Sequence, residues 1–500
     1  MSSVLKIISE KQTTFCKGLS PKRNQKISFA IGQLFIYLIF SCQSNISPPN
    51  SSSNPPTDPP VVPGDYTVAW QNMLGGNQSD DPTTMVILPD GSSVIAGSTQ
   101  SDLSGDVPST KGYSDIWIIK VSAGGGLIWS KCFGGSGYES ASKIIATKDG
   151  GFAIVCSVSE PNKNQDGHDG DITGYHGTWS SDLWIIKIDA KGNALWNKAF
   201  GGTGDEAGGS LVEMDNGELI VGGSTNSTDG DLAGIHSFGD TDAWLFKLDI
   251  NQNIVWQKKM GGSKPEAITS MTRSTGGGIL LAAHTQSNDG EVVGSHVTPV
   301  GPGVISGDFW IIKLDEGGSV IWKKAFGGSH DDWPFSLIEL NDKTIVVSGS
   351  TQSSDGDITG YHNYVDHGVS NTTSDAWIVK LKSNGELMWE KSFGGSGSEG
   401  VFSSAATNSN SVVFFGFADS NDGDVSGNHG GTDIWILQLS ADNQTRWQKC
   451  FGGTGFDYGG DISATADGVL LFSGSSTSND GDITSSHGQG DFWVVQLSPK

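Results

Sequence analysis

From residue 66 onward the chain alternates short apolar runs with polar, glycine-rich connections, and that alternation is itself periodic. A unit of roughly 60 residues recurs seven times, with its first copy split between the two ends. One copy reads ASKIIATKDGGFAIVCSVS, a long polar loop, then SDLWIIKIDAKGNALWNKAFGG. The runs Ala141–Thr147 and Phe152–Val158 flank Lys-Asp-Gly-Gly, and Asp182–Ile188 and Ala194–Phe200 flank Asp-Ala-Lys-Gly. Both separators are hairpin signals, so the unit predicts four short strands, A to D. Strand C is apolar on both faces, with Trp184, Ile186 and Ile188 on one and Leu183 and Ile185 on the other. Such a strand must be covered on both sides. No helical periodicity of useful length follows residue 42.

Two tryptophan signatures mark each copy. Asp-x-Trp opens strand C at Trp117, Trp184, Trp244, Trp310, Trp377, Trp435 and Trp493. Trp-x-x-x-(Phe/Met/Leu)-Gly-Gly closes strand D at Trp70, Trp129, Trp196, Trp256, Trp322, Trp389 and Trp447. Seven small sheets packed face to face around an axis satisfy this pattern, which predicts an all-β, seven-bladed β-propeller with four-stranded antiparallel blades. The chain ends in strand C of the last copy, Asp491–Ser498, while an isolated strand D, Thr67–Gly76, precedes the first strand A. The amino-terminal strand is therefore expected to complete the last blade, leaving no half-blade with an unpaired edge.

The first 65 residues have a different composition. Residues 1–26 hold six basic residues and one acid, Ile27–Phe40 is mostly apolar, and Ser41-Cys42 follows. Basic segment, short apolar segment and small residue predict a secretory signal, the apolar stretch being too short to span a membrane as a helix. Leu-Ile-Phe-Ser-Cys resembles a bacterial lipoprotein cleavage box, which predicts residues 1–42 as signal with lipidation at Cys42; plain secretion is the alternative. Residues 43–65, rich in Ser, Asn and Pro, read as an extended tether, and 66–500 as the propeller. This predicts a monomeric propeller of the bacterial cell envelope, anchored by lipid to the outer membrane on its periplasmic or surface side.

Without residues 1–42 the chain has 24 basic and 54 acidic residues, a net charge of −30. So acidic a surface repels phosphate backbones and excludes nucleic acid as a partner. Cys132, Cys156 and Cys450 show neither a disulfide framework nor metal-binding spacing.

The run FGGSGYESASKIIATKDGGFAIVCSVS with SDLWIIKIDAKGNALW resembles the bacterial β-propeller repeat family (SBBP-type) over residues 66–500. The Asp-x-x-Gly-x-x-x-Trp hairpin (Asp189, Gly192, Trp196) is similar to the tryptophan-docking motif of pyrroloquinoline-quinone propellers, with a turn one residue shorter. The resemblance implies an extracytoplasmic propeller and brings no catalytic residues with it. The cofactor site of the quinone enzymes has no counterpart in this chain.

In an antiparallel blade the B–C and D–A connections emerge on one face and the A–B and C–D hairpins on the other, so all long loops share a face. They repeat Asp-Gly-Asp followed by His: Asp169/Asp171/His176, Asp229/Asp231/His236, Asp355/Asp357/His362, Asp422/Asp424/His429 and Asp480/Asp482/His487. Either these carboxylates accept backbone N–H groups and shape turns, with glycine supplying positive φ, or they bind Ca²⁺ with loop carbonyls. Repetition in nearly every blade favours the turn. Symmetry breaking is the better guide to a ligand. The neighbouring blades 4 and 5 have enlarged loops, and one sector gathers His330, Asp331, Asp332, Trp333, Tyr361, His362, Tyr364, Asp366 and His367. Aromatic planes beside carboxylates suit a sugar, or they simply pack the loops. The expected function is a binding or scaffold module for a glycan or an envelope protein; the alternative is a polysaccharide lyase or hydrolase using the Asp and His residues of these loops.

Overall fold

The computed structural model describes residues 66–159, 170–177, 180–301, 304–362, 373–407 and 411–500. Seven four-stranded antiparallel sheets form a ring, a seven-bladed β-propeller. Blade 1 consists of Asp80–Ile87, Ser93–Thr99, Asp115–Val121 and Leu127–Phe133 as strands A to D. Blades 2 to 6 repeat that order, and blade 4 adds a small ribbon, Pro299–Gly301 with Val304–Ile305, between strands B and C. Strands A of neighbouring blades meet at the axis, so strand A is innermost and strand D outermost.

Blade 7 closes the ring as expected. Its strands Asp457–Ala464, Leu470–Ser476 and Asp491–Pro499 are completed by Tyr66–Leu74. The register runs antiparallel from Tyr66 opposite Pro499 to Leu74 opposite Phe492.

The core lies between blades. Seven apolar clusters each draw on two adjacent blades, the last joining Leu471, Phe492 and Val494 to Met85, Ile95 and Trp117. All seven strand-C tryptophans are buried. The strand-D tryptophans dock on the next blade: Trp129 Nε1 donates to Ala190 O at 3.3 Å and Trp322 Nε1 to Ser383 O at 3.1 Å. Gly192 (φ 78°) lies under the Trp129 ring, where a Cβ would sit 3.0 Å from a ring carbon. The outermost strands carry lysines such as Lys131, Lys198, Lys391 and Lys449, which discourage pairing with a foreign strand.

Each strand A contains one β-bulge, with the extra residue at Thr83, Ser142, Gly209, Thr269, Phe335, Phe402 or Gly460. The bulge explains a boundary difference: strand A of blade 2 spans Tyr138–Ala146, not Ala141–Thr147. An inserted residue breaks the two-residue period, so the residues before it read as polar loop.

Candidate functional site

Each Phe-Gly-Gly sequence, or its Leu or Met equivalent, ends strand D and turns toward the next blade between carboxylates. At the junction of blades 4 and 5, Gly328 N donates to Asp332 Oδ2 (2.8 Å), Gly327 N to Asp357 Oδ2 (3.2 Å) and Ser329 N to Asp355 Oδ1 (2.7 Å). The acid that heads strand A makes the same bond elsewhere, as in Gly202 N to Glu206 (2.9 Å) and Gly395 N to Glu399 (2.8 Å).

The Asp-Gly-Asp loops serve this frame. Asp229 accepts both Thr203 N (2.8 Å) and Thr203 Oγ1 (2.9 Å), and Asp480 does the same with Thr454 at 2.7 and 2.9 Å. Asp422 accepts Ser396 N at 2.7 Å. Asp171 and Asp231 accept Gly134 N (3.2 Å) and Gly201 N (3.1 Å), while the N–H groups of Asp424 and Asp482 donate to Gly394 O and Gly452 O at 2.8 Å. The intervening Gly230 has φ 59°, and a Cβ there would meet Gly201 O at 2.3 Å. Backbone hydrogen bonds hold the Asp229, Asp355 and Asp480 carboxyls below their ordinary range. Among the described residues no group of three or more His, Cys, Asp or Glu side chains has an arrangement that could hold a metal ion. Asp169 lies outside the described residues.

Three of the loop histidines clasp adjacent blades. His362 N and Nδ1 lie 2.8 and 2.9 Å from Asp375 Oδ2, and its Nε2 is 3.8 Å from Asp424 of the next blade. His176 spans Asp182 (3.1 Å) and Asp231 (3.8 Å) in the same way, and His296 spans Asp308 (3.8 Å) and Asp357 (3.7 Å). Blade 1 has no such histidine; Lys111 replaces it, donating its N–H to Asp115 at 2.7 Å and pairing its ammonium with Asp171.

The proposed sector therefore divides. His362 belongs to the repeated frame. Tyr361 donates its hydroxyl to Thr373 O and packs on the core between blades 4 and 5. Asp332 is fully buried and bound to Gly328 N and Ser353 Oγ, so it is not exposed in a ligand loop. Tyr364, Asp366 and His367 lie outside the described residues.

Asp331 and Trp333 do meet, together with His284, at a place the sequence did not indicate. Trp333 is the second residue of strand A in blade 5, paired with Ser350, which corrects its expected position in a loop. It stacks on His284 at 3.6 Å between centroids and 9° between planes. Asp331 ties the two together, accepting from Trp333 Nε1 at 2.7 Å and facing His284 Nε2 at 3.3 Å. His330 N donates to Ser353 Oγ at 3.0 Å. From Trp333 a ladder of rings continues through Phe335 (6.3 Å), Phe402 (5.5 Å) and Phe417 (5.2 Å) across blades 5 and 6. The ladder lies at the long-loop end of the inner strands, and its four aromatic members after His284 are partly exposed.

The other blades have small or polar groups here. The position of Trp333 is held by Asp81, Ser140, Ala207, Ala267 and Gly400, with Tyr458 in blade 7. The bulge position of Phe335 and Phe402 is elsewhere Thr83, Ser142, Gly209, Thr269 or Gly460. Sequence reasoning missed His284, Phe335, Phe402 and Phe417, because the search for asymmetry was confined to the loops. Aromatics in repeat columns of small residues are the signal that finds them.

No family model matches the chain. The regulatory protein FlaEY of Caulobacter vibrioides is 24% identical over 220 residues, 43% of this chain and 22% of that protein; the match thus spans under a quarter of the relative's length. Among solved structures, an ulvan lyase, a polysaccharide lyase, superimposes with a TM-score of 0.46 at 10% identity, covering 85% of this chain and 95% of its own. The Pan2 WD40 domain of Neurospora crassa gives 0.44 at 10% identity over 85% and 95%. Puromycin hydrolase gives 0.43 at 10% identity over 80% and 51%. These are likenesses of fold.

Proposed function

We propose that the protein is a binding module of the bacterial cell envelope, held by lipid at Cys42, that takes a glycan on the aromatic ladder of blades 4 to 6. The observation that supports this reading is the ladder itself, with four partly exposed rings at positions that are small or polar in most other blades. Partly exposed aromatic faces are costly in water and suit the apolar face of a pyranose. Asp331 is bonded to the ladder through Trp333 Nε1, and Lys143 of blade 2 is paired with Asp461 at 3.2 Å. That charge pattern favours a neutral or amino sugar over a uronate or a sulfate ester. Of the acid–base candidates of the polysaccharide-cleaving alternative, Asp332 is buried and bound to Gly328 N.

Trp333→Ala combined with Phe402→Ala should abolish binding on a glycan array, each lost ring weakening affinity about tenfold. Far-ultraviolet circular dichroism and the melting transition should persist, since both side chains are only partly buried. A folded double variant that binds like the wild type would move the ligand off the ladder.

The anchor is tested separately. Cys42→Ala should move the protein from the membrane fraction to the soluble fraction, or leave it unprocessed, because acyl chains contribute about 0.8 kcal/mol per buried methylene. Unchanged partition into membranes would exclude lipid at Cys42.

A further inference from the structure

We infer that at six of the seven blade junctions a proton is held between two buried carboxyl groups, so that neighbouring blades are joined by acid–carboxylate pairs. The partners are the aspartate that opens strand C of one blade and the acid that heads strand A of the next. Between blades 4 and 5 these are Asp308 and Asp332, both 0% exposed. They face each other across Gly327, where a Cβ would lie 2.4 Å from Asp308 Oδ1 and 2.9 Å from Asp332 Oδ2. Only glycine leaves both carboxyls room at this spot.

The strand-C aspartates are short of donors. Asp308 Oδ2 accepts His296 N at 2.5 Å, but Asp308 Oδ1 and Asp332 Oδ1 are buried with no hydrogen-bond partner. The equivalent Oδ1 atoms of Asp115, Asp182, Asp375, Asp433 and Asp491 are likewise buried without one. Two ionised carboxylates here would combine like-charge repulsion with an unsatisfied Asp308 Oδ1; an O–H donor from that oxygen to Asp332 Oδ2 removes both costs. Between blades 1 and 2, Asp115 Oδ1 and Glu139 Oε2 face each other in the same way across Gly134, where a Cβ would lie 1.8 and 2.2 Å from them.

The seventh junction differs in one group. Between blades 3 and 4, Asp242 lies 3.6 Å from the buried ammonium of Lys259 and accepts from Ser237 Oγ at 2.5 Å. There a cation faces the strand-C aspartate, although burial still lifts its neighbour Glu266 to about 7. The same strand-D position is Met73, Cys132, Ala199, Ala325, Ser392 or Cys450 in the other blades.

Burial, foremost, lifts Asp308 to about 8, Asp332 and Glu399 to about 7 and Asp80 to about 6. Asp331, Asp357, His296 and His330 are the other titratable groups around the blade 4/5 pair. In the unfolded chain these carboxyls titrate near their ordinary value of about 4. Between that value and the folded one, the native state binds more protons. Stability therefore falls as pH rises through this window and levels off above it, by up to about tenfold in the folding equilibrium per pH unit for each retained proton.

Urea unfolding of the mature protein between about pH 7 and pH 9, above the ordinary histidine range, tests the inference. Wild type should lose stability across that range. Asp308→Asn, whose amide donates without titrating, and Ala325→Lys, which copies the Lys259 arrangement, should each flatten the dependence by up to about tenfold per pH unit. Infrared spectra of the wild type should show a protonated-carboxyl carbonyl band at neutral pH that disappears in alkali. Wild-type stability that is flat or rises over this range, or absence of the band at neutral pH, would overturn it. If both variants fail to fold, the wild-type band and pH dependence still decide.

Discussion

Deleting residues 66–76 should convert the propeller into an aggregating, weakly cooperative species, with any surviving transition lowered by about 10 °C or more. The deleted strand is the outer edge of blade 7, paired with Asp491–Pro499 along its length. It also seals two cores at once, with Met73 in the cluster shared with blade 6 and Leu74 in the cluster shared with blade 1. Trp493 Nε1 would lose Gln71 Oε1 (2.8 Å), and the C–D turn of blade 1 would lose the indole of Trp70, bound at 2.9 Å to Ala123 O. Each buried Met or Leu side chain contributes about 1.5–3 kcal/mol, and the bared edge invites pairing with other chains. Size-exclusion chromatography and a thermal melt read the outcome. A monomeric deletion variant melting like wild type would show that the ring does not depend on this closure.

Trp184→Ala should cost about 3–5 kcal/mol, the range for deleting a buried aromatic from a core that cannot collapse around the space. Trp184 is 0% exposed, belongs to the cluster between blades 1 and 2, and donates from Nε1 to Asn197 Oδ1 at 3.1 Å. Its loss leaves a cavity and strips Asn197 of a partner. Trp333→Ala, on a partly exposed ring, should cost clearly less. Urea denaturation of both variants with unchanged m-values checks the ranking. Equal costs would mean that Trp333 is as much a part of the core as the repeat tryptophans.

The fold was legible because it is written seven times. Period, hairpin turns and a two-sided apolar strand C leave one arrangement that covers every face, and the stray strand at Thr67–Gly76 announces closure. The frame was half legible. Asp-Gly-Asp stood out as a motif, yet its partners are backbone N–H groups of the preceding Gly-Gly turn, which no side-chain pattern reveals. The acid four residues after the second glycine was equally regular, at Asp80, Glu139, Glu206, Glu266, Asp332, Glu399 and Asp457. It passed unnoticed because it alternates between two residue types, and the bulge beyond it hides the start of strand A. The ladder was least legible. Trp333 drew attention as an odd tryptophan, but Phe402 and Phe417 look like ordinary strand residues until their columns are aligned in space.

The closing strand has a mechanical consequence. Strand D begins at the short-hairpin end of a blade, so the chain enters the ring at Tyr66 on the side opposite the long loops and the ladder. Tension between a ligand on the loop side and the chain upstream of Tyr66 would run along the axis of this strand. Its hydrogen bonds to Asp491–Pro499 stand perpendicular to that axis, so they would be loaded together, in shear, and could not be unzipped one at a time. The strand that closes the ring is thus also oriented to resist a pull on it.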